Sequence, residues 1–80
     1  METSIVLAPP KPRNKLQAAA FEFNLMTEYQ FRIELSARLG ISEITLRTMW
    51  TEANAQKHLY RHVKAVADFF GKPIEEIFRT

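Results

Sequence analysis

Eighty residues, 46% of them hydrophobic and six of them phenylalanine, describe one small domain with enough apolar material for a core. The absence of cysteine excludes a disulfide framework and a thiolate metal site, and it fits a reducing cytoplasm. A formal net charge of +2 makes the chain mildly basic rather than a polycation, a balance that a nucleic-acid binder, an enzyme or an adaptor could carry. With only two glycines and little strand-like alternation, the expected fold class is all-α.

Residues 1–14 read as a flexible arm. Pro9, Pro10 and Pro12 remove backbone donors and restrict their neighbours, so no helix runs through them. A solvated tail is the plain reading; a basic arm carrying Lys11 and Arg13 along a DNA backbone or into a minor groove is the sharper one. The Ile5-Val6-Leu7 triplet is a candidate for packing on a partner subunit, and the apolar run it belongs to is too short for a membrane span or a signal-peptide core.

Residues 15–80 form the folded unit, with Asn14 as the N-cap of a first helix expected over 15–29. Leu16, Ala19, Ala20, Phe23 and Met26 follow the helical period, and Phe21 and Leu25 widen the stripe. The second helix starts between Thr27 and Arg32, where Thr27-Glu28-Tyr29-Gln30 has the form of a capping box. Leu35 and Leu39 share one face, and Gly40 supplies a left-handed residue for a sharp turn. Ile41 fills the corner, Ser42 caps a third helix, and Leu46 and Met49 continue the inner face. Trp50 is expected under the polar connection that follows. A long helix over 56–70 then turns Leu59, Val63, Val66 and Phe70 inward, with Tyr60, Ala67 and Phe69 beside them. Gly71 ends it. Pro73 opens a last short helix with Ile74, Ile77 and Phe78 facing the core and Glu75 and Glu76 near its positive end.

The spacing of residues 32–51 resembles the helix-turn-helix of DNA-binding proteins, in which the second helix lies in the major groove. Two segments extend the likeness: Leu35-Ser36-Ala37-Arg38-Leu39-Gly40-Ile41-Ser42, and Val66-Ala67-Asp68-Phe69-Phe70-Gly71-Lys72-Pro73-Ile74-Glu75-Glu76-Ile77-Phe78. Together they resemble the lambda-repressor-like (Cro/CI, XRE-type) family. The resemblance implies a compact bundle of about five short helices containing a helix-turn-helix. The match departs from the family's pattern at the start of helix 2, where Phe31 and Arg32 replace a hydroxyl cap and a phosphate-binding glutamine, and at Trp50, where a glutamate is common.

The resemblance further implies that Glu43, Ile44, Arg47 and Thr48 reach base edges. The chemistry suits them: a guanidinium can fork onto guanine, a carboxylate can accept from cytosine N4, and an isoleucine can touch a thymine methyl. Ser42 and Arg32 are the phosphate contacts the pattern suggests, and Arg38 together with Lys57, Arg61 and Lys64, the last three expected on one face of helix 4, are further candidates. The function expected is a cytoplasmic, sequence-specific transcriptional regulator of the repressor type, acting on double-stranded DNA as a homodimer through the C-terminal helix or the N-terminal triplet. The rival is a protein-interaction adaptor that keeps the fold and reads no DNA.

His58 and His62 have a spacing that could share a metal, but the glutamate that a zinc-protease helix places after its first histidine is replaced by Leu59, so a surface pair is expected and no cofactor. No nucleophile–histidine–acid set or phosphate-cradling glycine loop occurs, which argues against an enzyme and a small-molecule substrate.

Overall fold

The computed structural model describes residues 11–80, an all-α bundle of α1 (Lys15–Glu22), α2 (Glu28–Leu39), α3 (Glu43–Thr51), α4 (Tyr60–Phe70) and α5 (Ile74–Ile77), with a 3-10 turn over Ala55–Lys57. The expected arm therefore lies largely outside the described residues, as does the Ile5-Val6-Leu7 triplet. Among the described residues, no helix is long and apolar enough to cross a membrane.

The first helix is shorter than the apolar stripe suggested. It stops at Glu22 because Asn24 adopts the left-handed conformation (φ 64°) and the backbone closes on itself. Leu25 N–H donates to the Ala20 carbonyl at 2.9 Å and Asn24 N–H to that of Phe21 at 3.0 Å, which satisfies carbonyls the helix would otherwise leave unpaired. Leu16, Ala19 and Ala20 stay in the core, but Phe23 moves to its edge, partly exposed against Phe69 and Phe70.

The capping box at the head of α2 forms. Thr27 Oγ1 accepts from Gln30 N–H, and the Gln30 side chain accepts from Thr27 N–H. This start, one turn before Phe31, frees Phe31 from any capping role and buries it completely. Its ring lies 5.1 Å from that of Trp50 and stacks on Phe70 at 6.5 Å with 10° between the planes, so one side chain ties α2 to both α3 and α4.

Between α2 and α3 the chain turns through Gly40 (φ 69°), whose N–H returns to the Ser36 carbonyl at 3.0 Å. Leu35, Ile41, Leu46 and Met49 meet beneath this turn with almost no exposure. Each such side chain contributes on the order of 1.5–3 kcal/mol by leaving water.

Helix α4 starts later than the periodicity predicted. Asn54 Oδ1 accepts from Gln56 N–H at 2.9 Å, which holds residues 55–57 in a 3-10 turn, and His58 continues in extended backbone. Leu59 precedes the helix as its N-cap and is exposed, so the expectation that it faces inward is corrected. Val63, Val66, Ala67 and Phe70 form the buried face as expected, and Gly71 (φ 68°) closes the helix. Ile77 and Phe78 are fully buried, which leaves the C-terminal helix little apolar surface to offer a second subunit. Just beyond it, Arg79 N–H donates to the Ala53 carbonyl (2.7 Å) and its carbonyl accepts from Ala55 N–H (2.8 Å), pinning the tail to the loop after α3.

Candidate nucleic-acid interface

Helix α3 divides cleanly into two faces. Leu46, Met49 and Trp50 are buried, while Glu43, Ile44, Arg47 and Thr48, the four residues expected to read bases, are all exposed on the outer side. Ile44 is the extreme case, an apolar side chain left 74% exposed.

Both ends of this helix are anchored. At the start, Ser42 Oγ accepts from Thr45 N–H at 3.2 Å and donates to Thr45 Oγ1, also at 3.2 Å. An N-cap of this kind is worth about 1 kcal/mol. At the other end the Trp50 carbonyl, one of the orphan acceptors of a helix terminus, receives two donors, Gln17 Nε2 of α1 at 2.7 Å and Nδ2 of Asn14, the α1 N-cap, at 3.1 Å. Gln17 is the one buried polar side chain among the described residues, and its Oε1 accepts from Arg13 N–H at 3.0 Å, so both halves of the amide are satisfied. Side-chain motion at the outer face therefore takes place on a helix whose axis is held.

Arg32 sits beside this face but not as a free charge. Its guanidinium bridges Glu28 within α2 and Glu43 Oε1 (2.7 Å) at the head of α3, and it lies over the Tyr29 ring at 5.3 Å. The hydrogen bonds to Glu28 and then Glu43 raise the Arg32 pKa above its ordinary value. Arg38 likewise pairs with Glu34 at 3.0 Å. The outer face of α3 is thus close to neutral: Arg47, which pairs with no carboxylate among the described residues, balances Glu43 once Arg32 and Glu28 have cancelled.

The remaining candidates are dispersed. Arg61 is exposed on the first turn of α4, and Lys64 is tied to Asp68 at 2.7 and 2.8 Å, which raises its pKa. Lys57 belongs to the 3-10 turn, so the common face expected for Lys57, Arg61 and Lys64 does not form. Instead Lys57 lines a cleft of about 550 Å³ together with Arg13, Lys15 and Arg79. Thr51, one turn beyond Arg47 on α3, stands at the same cleft and joins it to the exposed face. Arg13 and Lys15 are near neighbours in the sequence, but no local pattern joins them to Lys57 or Arg79; the pairing of residue 79 with residues 53 and 55 brings Arg79 to the loop after α3.

The chain matches no family model, no curated protein and no solved structure. His58, half of the histidine pair, directs Nε2 at the Glu52 carbonyl at 2.9 Å, an ordinary loop contact. Trp50 is almost wholly withdrawn from solvent, so of the apolar residues of α3 it is Ile44 that is exposed.

Proposed function

We propose that this protein is a sequence-specific DNA-binding regulator that sets the outer face of α3 into the major groove. The observation that carries the reading is the arrangement of α3: a helix capped at Ser42, clamped at Trp50 by Gln17 and Asn14, and presenting Glu43, Ile44, Arg47 and Thr48 outward. A protruding helix with fixed ends is what a groove admits, and these side chains supply a fork for guanine, an acceptor for cytosine and an apolar contact for thymine. Glu43 keeps Oε2 for a base while Oε1 is held by Arg32, so the Arg32 bridge orients the reading carboxylate. Ser42, Lys57 and Arg61 supply backbone contacts, and Arg32 contributes what its pairing leaves over.

One domain of this size spans a short half-site, so useful affinity requires two copies about one helical turn of DNA apart. With Ile77 and Phe78 withdrawn into the core, Ile74 is the apolar residue of the C-terminal helix left to support a homodimer contact there. Action in the cytoplasm follows from the same reading. The adaptor alternative keeps one specific support, the exposed Ile44, which a protein groove could also take.

Selection of bound sequences from a random duplex pool, followed by a salt titration of the winner, tests the proposal. A recoverable motif and an affinity that falls steeply with salt support it. Failure to retain any duplex at low salt would reject it in favour of the adaptor.

A further inference from the structure

The cleft between the head of α1, the loop after α3 and the C-terminal tail has a charge balance unlike the rest of the molecule. Its lining includes four cationic side chains, Arg13, Lys15, Lys57 and Arg79, against the single carboxylate of Glu52, a formal +3 where the whole chain carries +2. None of the four forms an ion pair among the described residues, although Arg32, Arg38, Lys64 and Lys72 all do. Lys15 donates only to a backbone carbonyl, that of Glu75, at 2.9 Å. Glu75 and Glu76 lie on the adjoining helix but do not line the cleft.

Parts of the walls are tied down by hydrogen bonds. Arg79 is held by two backbone hydrogen bonds to residues 53 and 55, and Asn14 and Gln17 are fixed on the Trp50 carbonyl. The amides of Asn14 and Gln17 are therefore already satisfied, and the uncompensated charge of the cleft is positive. Like charges gathered without partners work against the compact state, and an anion seated among them removes that cost.

We propose that this cleft is a binding site for a run of adjacent phosphate groups. A single carboxylate or phosphate would meet one or two of the four cations, whereas a chain of phosphates can meet them in succession. Two sources carry this chemistry, the phosphodiester strand of a nucleic acid and a free oligophosphate. The site does not depend on α3 reading base edges.

The test is titration of the full chain with tripolyphosphate at constant ionic strength, followed by backbone amide shifts. Saturable shifts concentrated at residues 53–57 and 79, together with a raised Tm, are expected. The double variant Lys57→Gln/Arg79→Gln loses at least tenfold in affinity, and Lys57→Arg/Arg79→Lys restores it. Shifts spread evenly over all surface lysines, or a double variant that binds within twofold of the wild type, would overturn the site. Adding a duplex of random sequence then identifies the source. Expulsion of tripolyphosphate from the cleft supports the site as a seat for a phosphodiester strand, and simultaneous binding of both supports it as a seat for a free oligophosphate. A chain that binds tripolyphosphate in the cleft but no duplex removes the DNA reading of α3 and leaves this site standing.

Discussion

Replacement of Phe31 by alanine tests how α3 is held. The ring is fully buried and touches Trp50 of α3 at 5.1 Å and Phe70 of α4 at 6.5 Å. Truncation of a buried phenylalanine costs about 3–5 kcal/mol through lost transfer energy and the cavity left behind. Two ring contacts at about 0.5–1.5 kcal/mol each place this site toward the upper end. An 80-residue domain has about 4–12 kcal/mol in total at the usual stability per residue. Phe31→Ala should therefore lose a third or more of its stability, and Phe31→Leu, which keeps most of the apolar volume, about 1.5–3 kcal/mol. The assay is urea unfolding followed by far-ultraviolet circular dichroism, with Trp50, the single tryptophan, as a fluorescent reporter. Tyr29→Ala, at an exposed site two residues away, is the control and should cost less than about 1 kcal/mol. A loss below about 1.5 kcal/mol for Phe31→Ala, or equal losses at both positions, would refute the claim that Phe31 joins the three helices.

Three further outcomes follow from local geometry. Asn24 holds a left-handed backbone, so Asn24→Ala should destabilise by about 1 kcal/mol in chemical denaturation while Asn24→Gly leaves stability unchanged or slightly higher. Gln17→Leu removes the shorter of two donors to the Trp50 carbonyl and the acceptor for Arg13 N–H, and it should cost about 1–3 kcal/mol in the same assay. Lys64 gains its raised pKa from Asp68, so its contribution is complete below the ordinary lysine value of 10.5 and is lost as pH rises through the higher folded value. The Tm difference between wild type and Lys64→Met should stay flat from pH 7 to about 9 and close at strongly alkaline pH.

Local signals in the sequence located most of the helical bundle. The Thr27–Gln30 box, Gly40, Ser42 and Gly71 each act within a few residues, and each occupies the capping or turning position its chemistry favours. The two misplaced boundaries have the same origin. Asn24 and Asn54 both redirect the backbone, one by a left-handed turn and the other by accepting a hydrogen bond from Gln56; apolar periodicity runs straight through Asn24, and the helix expected from residue 56 begins inside the turn that Asn54 holds. Leu59 shows the consequence: an inward position on an unbroken helix becomes an exposed one when the helix starts at Tyr60.

The exposed face of α3 was legible because its residues alternate with a short, well-defined buried set. The electrostatics were not. Arg32 reads as a free cation in sequence, but Glu28 lies one turn before it and Glu43 is brought to it across the turn, so its charge is engaged. The basic cleft depends on contacts between residues far apart in the sequence, such as Lys15 Nζ to the Glu75 carbonyl at 2.9 Å, 60 positions away at its edge, that no local pattern encodes.

Arg47 is the residue on which the proposed reading of base edges by the outer face of α3 turns. Parallel selections from one random duplex pool, with wild type and with Arg47→Ala, should recover motifs that differ at a single base position, where the variant loses its preference. Identical motifs from the two proteins would show that Arg47 does not face the bases and that α3 is not the reading element.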